Sequence, residues 1–276
     1  PTIQLSGFTG FYNETLGPLF PILFITIACG AISGFHSLVA SGTTAKQLNN
    51  ERDGRFIAFG GMLIEGFLAV IVLTSVAYLT TGAFTERLAT SGGPIPTFAL
   101  GLAEFMSAFG LPLATGVTFV SLAASAFLMT TLDSATRLGK YGVQEFAEGR
   151  SKFFHNHYVA TAVIVIGAGA LALSGTWSQL WSLFGSANQM LGALALMAVS
   201  AWLIRRGVKT LFTLIPMTFM FIVTLSALIV LMYQNFNIGN YFLAIAGFVL
   251  FGLCIFLMIE AWNSFVTRKK DTEVKA

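Results

Sequence analysis

The sequence predicts an all-α, polytopic membrane protein, on three observations. The chain of 276 residues is 55% hydrophobic and only 10% charged, whereas a soluble domain carries about 25% charged residues. It contains seven apolar runs of the length that crosses a bilayer as a helix, roughly 20 residues. Its basic residues cluster in alternate connections between those runs, a pattern typical of chains oriented in a membrane. A composition this poor in charge excludes an ordinary water-soluble domain.

The predicted spans follow one another through a single transmembrane domain, residues 1–276. They cover residues 18–41, 56–79, 113–131, 158–174, 183–204, 211–233 and 241–265. The outer connection before the third span contains an apolar run over 97–109 that is too short to cross, and it predicts a re-entrant or lid helix. Residues 137–150, RLGKYGVQEFAEGR, predict a short amphipathic cytoplasmic helix.

The distribution of charge predicts the orientation. Fourteen of the fifteen basic residues lie after the first, third and fifth spans or in the tail, and only Arg87 lies elsewhere. The positive-inside rule makes those regions cytoplasmic, so the N-terminus is predicted outside and the C-terminus inside a cell (inner or plasma) membrane. The net charge of +3 therefore indicates the lipid bilayer as a partner and not nucleic acid. Cys29 and Cys254 lie inside predicted spans and are interpreted as small apolar packing residues.

An N-terminus outside the membrane, with no basic signal-like segment before the first span, suits a chain that follows an odd number of helices. We therefore expect this sequence to be the C-terminal portion of a larger transporter. Its N-terminal half would lie in the same protein or on a separate chain.

The stretch GAISGFHS, residues 30–37, is unusually polar for the middle of a span. Its GxxxG spacing is typical of close helix packing, because small residues let two backbones approach. Packing does not call for a histidine, however, and transporter helices are often interrupted near the midplane to bind substrate. Both interpretations stay open from the residues, and we favour the interruption. The residues that would then line a substrate site are Gly30, Ser33, Gly34, His36 and Ser37.

Three further polar residues are candidates for the same site. Glu65 lies well inside the second span, where a carboxyl suits a proton carrier or a partner for a substrate amine; the alternative is a protonated carboxyl bonded to a neighbouring helix. Asn188 and Gln189 are adjacent near the start of the fifth span, so they point to different faces and are predicted to line the pathway. Glu104, in the outer connection, is expected to be solvated.

The inner end of the third span is rich in oxygen ligands and predicts a site for a coupling ion, H⁺ or Na⁺. Two alternatives need no ion: Asp133 and Arg137 are spaced for an i,i+4 ion pair, and the hydroxyls can bond to helix carbonyls. The residues of this group are Thr130, Thr131, Asp133 and Ser134. The sequence has no metal-ligand spacing and no nucleophile–base pattern, so no cofactor, metal or enzymatic activity is predicted.

Four blocks of the sequence resemble the carbon starvation protein A (CstA) family. Two of them carry patterns long enough to be specific, SGFHxLxxSGTT and LFGxANQML, and the resemblance extends from about residue 18 to 217. The blocks are CGAISGFHSLVASGTTAKQL (29–48), RFIAFGGMLIEGFLA (55–69), TTLDSATRLGKYGVQEF (130–146) and LWSLFGSANQMLGALALM (180–197).

The resemblance implies a secondary active transporter, with proton-coupled uptake of peptides during carbon starvation as the expected activity. A symporter of pyruvate or another small carboxylate is the alternative within the family, and half-helix N-termini could then hold the carboxylate. The family is grouped with transporters of the LeuT-type (APC-like) inverted repeat. This chain would form the second half of that repeat, with its first span as a broken core helix. A non-transporting membrane scaffold or sensor subunit is the alternative from another class.

Overall fold

The computed structural model describes residues 2–13, 17–149, 151–175 and 177–273, with the side chains of 13, 28, 29, 152, 177–179 and 261–273 left out. Two short antiparallel strands of two residues each, β1 (Tyr12–Asn13) and β2 (Gly17–Pro18), precede the helices. Two π-helical turns, Leu19–Leu23 and Ala40–Thr44, flank the first two α-helices. The helices are α1 Phe24–Ala31, α2 Gly34–Val39, α3 Ala45–Gln47, α4 Asp53–Ala77, α5 Thr81–Thr90, α6 Pro94–Ser107, α7 Leu113–Ala147, α8 Lys152–His155, α9 His157–Ser174, α10 Trp177–Arg205, α11 Leu211–Asn237 and α12 Tyr241–Glu273.

The prediction of an all-α, polytopic membrane protein is confirmed. Within the described residues, six helices are long and apolar enough to cross a membrane: α4, α7, α9, α10, α11 and the first part of α12, Tyr241–Glu260. The predicted first span, 18–41, is not one helix, because it is divided among a π-helical turn, α1 and α2.

Two connecting regions differ from their predicted outlines. Residues 137–147 do not form a separate helix; they continue α7 without a break, and Arg150, the last residue of the predicted segment, lies outside the described residues. The outer connection holds two helices, α5 and α6, where one was predicted over 97–109. Helix α6 begins earlier, at Pro94, because proline suits the first helical turn, where its missing N–H has no helical partner.

The chain divides into two compact units. The first, Pro1–Thr9 with Thr44–Val165, contains α3 to α8 and the first part of α9. In it, α6 packs against α4 and α7 through small residues: a Cβ on Gly101 would collide with the Ser75 carbonyl oxygen, and a Cβ on Gly116 would lie 3.0 Å from the Ala103 Cβ. Small side chains allow this close approach where there is no water to drive helices together.

The second unit, Gly10–Thr43 with Ile166–Ala276, contains α1, α2 and α10 to α12. Its core lies between α10, α11 and α12. Cys254 is fully buried in it and confirms the packing role predicted for this thiol, whereas the side chain of Cys29 lies outside the described residues. The buried cluster around Cys254 consists of Met190, Ala193, Met220 and Phe221.

Candidate substrate site

The interruption predicted in the first span is present between α1 and α2. Helix α1 ends at Ala31, Ser33 has extended backbone angles (φ −100°, ψ 121°), and α2 begins at Gly34. The break is confined to Ile32 and Ser33, because Gly30 and Gly34, which were both predicted to belong to the interrupted stretch, keep helical backbone. Such a break exposes backbone groups that a continuous helix would pair internally.

Side chains of the protein satisfy two of the amides that the break releases. The Ser33 hydroxyl accepts a hydrogen bond from the His36 N–H at 3.3 Å. Oδ1 of Asn188, on α10, accepts from the Phe35 N–H at 2.8 Å and from the Ser33 hydroxyl at 3.3 Å. Asn188 is only 2% exposed. It was predicted to line a pathway, and in the structure its oxygen caps α2 from a neighbouring helix.

The packing interpretation of the GxxxG pattern holds for Gly34, the first residue after the break, and not for Gly30, at which a Cβ would meet no described atom within 4 Å. A Cβ on Gly34 would collide with the Asn188 carbonyl and the Leu191 Cβ, and it would lie 2.7 Å from the Gly192 nitrogen. On α10, a Cβ on Gly185 would lie 2.7 Å from the Ile25 carbonyl oxygen. The missing side chains therefore let α1 and α2 lie directly against α10.

A largely apolar cavity of about 280 Å³ lies beside the break, between the end of α1, α10 and α11. Gln189 is the one polar residue among the described residues that line it, and it is 3% exposed. Its Oε1 has no hydrogen-bond partner among the described residues. The apolar lining consists of Leu23, Phe24, Ile27, Ala31, Ile32, Phe219 and Met220.

The remaining candidates on α1 and α2 lie outside this lining. Gly30 and His36 are exposed within the described part of the chain, and Ser37 is half-buried. The Ser37 hydroxyl donates to the Gly34 carbonyl at 2.6 Å, within the helix. The His36 ring packs edge-on to the Phe35 ring, with their centroids 6.2 Å apart.

Glu65 and the predicted ion site belong to the other compact unit. Glu65 has an exposed side chain on α4. The Thr130 and Thr131 hydroxyls both donate to the Phe127 carbonyl, at 2.8 and 3.1 Å. Asp133 forms an i,i+4 ion pair with Arg137 at 2.9 Å.

The arrangement around Asp133 corresponds to the ion-free alternatives predicted for this segment. The side chains of Arg137 and Asp133 are 50% and 62% exposed, and Ser134 is half-buried. No group of three or more His, Cys, Asp or Glu side chains that could hold a metal occurs in the part of the chain that the structure describes.

The prediction that Glu104 is solvated holds only in part, because its side chain is 33% exposed. Its carboxylate forms a two-point ion pair with Arg87, at 2.9 and 3.1 Å, and the Tyr78 hydroxyl accepts from the same guanidinium at 3.1 Å. Burial raises the pKa of the Glu104 carboxyl. The two residues are seventeen positions apart and lie on different helices. The sequence therefore has no helical spacing from which this pair could be predicted.

Comparison with known proteins gives one family. The family model described as "Carbon starvation protein CstA" matches residues 1–92 and 83–227. The peptide transporter CstA of Escherichia coli (strain K12) is 31% identical over 294 residues, covering 82% of this chain and 42% of that protein. The peptide transporter CstA of Bacillus subtilis (strain 168) is 29% identical, covering 80% and 44%.

A relative with a different printed activity matches over a similar region. The pyruvate/proton symporter BtsT of Escherichia coli (strain K12) is 29% identical over 315 residues, covering 83% of this chain and 43% of that protein. The chain thus spans about two fifths of the length of the curated relatives it matches. No solved structure matches it significantly. The match of the family model over most of the chain, together with these relatives, places it among the carbon starvation proteins: the chain belongs to the CstA family.

Proposed function

We propose that this chain is part of a secondary active transporter of the cell membrane that takes up peptides together with protons. The observation that carries the proposal is the interruption between α1 and α2, which lies beside an apolar cavity containing one buried glutamine. Interrupted helices near such cavities are how many secondary transporters bind substrate. Relatives named peptide transporters support peptides as the substrate.

A second substrate class is favoured by one specific relative, the pyruvate/proton symporter. Under this alternative, the protein takes up pyruvate or another small carboxylate. The coupling ion is a proton in both cases, with Na⁺ as the alternative, and no cofactor takes part. A non-transporting scaffold or sensor subunit remains the rival proposal from another class.

The architecture that we propose is the second half of a LeuT-type inverted repeat. Because the chain spans about two fifths of its relatives, the other half would lie in the same protein or on a separate chain. The N-terminus of this chain would be outside and its C-terminus cytoplasmic, as the fourteen basic residues on alternate connections predict.

In this proposal, the residues around the break and on α10 face the substrate, and the inner end of the third predicted span serves the coupling ion. Asn188 contributes by fixing the start of α2. The substrate group is Gly30, Ser33, Gly34, His36, Ser37, Glu65, Asn188 and Gln189. The coupling group is Thr130, Thr131, Asp133 and Ser134.

The test is uptake of labelled alanyl-alanine and of labelled pyruvate into vesicles that contain the complete transporter, with a proton gradient imposed. We expect accumulation of one of them that an uncoupler abolishes, and exchange of labelled for unlabelled substrate, which separates a carrier from a pore. If neither substrate accumulates, the transport proposal fails and the scaffold or sensor alternative is favoured. If His36→Ala and Glu65→Gln lower stability but leave uptake unchanged, these two residues have no place in the substrate site.

A further inference from the structure

We infer that the cavity beside the break binds the amino-terminal part of a small substrate, and that Gln189 accepts a hydrogen bond from its amine while the cavity takes an adjacent apolar group. The inference rests on the proposed transport function and names the chemistry that its site selects. The two features that carry it are the unpartnered oxygen of Gln189 and the position of the cavity at the end of α1.

The first feature is an acceptor without a donor. The Gln189 side chain is 3% exposed, and its Oε1 has no hydrogen bond within the described residues. A buried polar atom left unpaired destabilises the protein, so a ligand that brings an N–H to this oxygen removes that penalty on binding. A carboxylate has only acceptor atoms and cannot pair with this oxygen.

Water is a poor substitute for such a ligand. A buried water molecule is held by about three hydrogen bonds to polar groups, and Gln189 is the one polar side chain in the described lining. The other lining residues, such as Ile27, Phe219 and Met220, are apolar. They favour a substrate that carries a hydrocarbon or aromatic group next to its donor.

The second feature is the end of α1. Ala31, its last residue, and Ile32, in the break, both line the cavity. The last carbonyl groups of an α-helix have no helical N–H partner, and the helix dipole makes this end negative. A protonated amine is therefore favoured at the end of α1, which agrees with the chemistry of the Gln189 oxygen. The N-terminus of α2 would favour a carboxylate instead, but no residue of α2 is among the described residues that line the cavity.

The volume limits the size of the group that enters. The cavity volume of about 280 Å³ is slightly smaller than that of typical small-molecule sites, which enclose roughly 300–1,000 Å³. The cavity therefore accommodates one amino-acid residue of a peptide with its amine, and the remainder of the peptide would extend beyond it.

The experiment compares Gln189→Met with Gln189→Glu in the complete transporter. Methionine matches the length of glutamine without an acceptor oxygen, whereas the carboxyl group of glutamate presents one in either protonation state. We expect Gln189→Met to raise KM for alanyl-alanine at least tenfold with little change in the maximal rate, and Gln189→Glu to retain wild-type KM within about threefold. In a separate measurement, binding of unlabelled alanyl-alanine and of pyruvate is detected by the rise in Tm that each causes in the purified protein.

Stability distinguishes substrate binding from a structural role. Gln189→Met removes an unpaired buried oxygen, so the Tm of the substrate-free protein should be unchanged or higher. A lower Tm with loss of binding in both variants, or an unchanged KM in Gln189→Met, would overturn the inference. If the wild type binds alanyl-alanine in a Gln189-dependent manner but accumulates nothing, the transport proposal fails and this inference stands. Accumulation of pyruvate alone, without binding of alanyl-alanine, leaves transport intact and refutes the amine site.

Discussion

The side-chain oxygen Oδ1 of Asn188 lies 2.8 Å from the main-chain nitrogen of Phe35 and accepts its hydrogen bond. The two residues are 153 positions apart in the chain, so α10 determines where α2 begins. Because Asn188 also accepts from the Ser33 hydroxyl, one buried amide holds both the extended residue of the break and the first turn after it.

We expect Asn188→Ala to destabilise the purified protein. The substitution removes the acceptor of the Phe35 N–H, and loss of a helix cap costs about 0.5–2 kcal/mol of the free energy of unfolding. Thermal unfolding in detergent should show a Tm lower by several degrees. Asn188→Asp keeps an acceptor oxygen and serves as the control. Equal stability of wild type and Asn188→Ala would mean that the bond does not hold α2.

Gly34→Ala and Gly30→Ala form a matched pair on either side of the break. An alanine Cβ at position 34 would collide with α10, whereas at position 30 it would meet no described atom within 4 Å. Overpacking of this kind costs typically 1–3 kcal/mol, so Gly34→Ala should unfold at a lower temperature. Gly30→Ala should unfold no earlier than the wild type, because alanine favours helix. If the two variants have the same Tm, α2 does not lie against α10 as described.

Asp133→Asn tests the proposed coupling site, with Arg137→Gln as its control. Each substitution breaks the same exposed ion pair, which is worth about 0.3–0.5 kcal/mol, so neither should change the Tm measurably. We expect only Asp133→Asn to abolish accumulation driven by the proton gradient, because only it removes the carboxylate. Uptake that is equally affected in both variants would show that the ion pair matters and the carboxylate has no separate role.

The ion pair between Arg87 and Glu104 should couple α5 to α6. In a double-mutant cycle with Arg87→Met and Glu104→Gln, we expect a coupling free energy of about 0.5–1 kcal/mol, since the pair is partly exposed. Arg87→Lys should recover only part of it, because lysine cannot make the two parallel bonds of a guanidinium. The free energies of unfolding of the four proteins measure the coupling, and strictly additive effects would exclude it.

The proposed orientation can be tested with single cysteines in a protein lacking Cys29 and Cys254. Thr90 and Lys209 are both exposed, at the end of α5 and in the connection between α10 and α11. A membrane-impermeant maleimide should label Thr90→Cys in intact cells, and Lys209→Cys only after the membrane is permeabilised. The reverse pattern would invert the orientation, and labelling of both positions in intact cells would contradict the proposed topology.

The apolar runs and a weak point within residues 30–37 could be recognised from the sequence. These are local properties: hydropathy over about 20 residues decides whether a segment suits the bilayer, and glycine with serine permits a helix to break. The same reasoning misplaced the start of a cytoplasmic helix at 137. Polarity marks where α7 leaves the apolar layer, but the structure shows no end of the helix there.

Only the tertiary structure decided which polar groups are satisfied. Asn188 and Gln189 are neighbours in sequence and both nearly fully buried, yet the oxygen of one caps α2 and the oxygen of the other has no partner among the described residues. Their roles depend on how α10 is rotated against α1, α2 and α11, and close packing at Gly34 and Gly185 sets that rotation. Contacts between helices far apart in the chain leave no periodicity in sequence, so the cap and the cavity emerge only when the helices are packed.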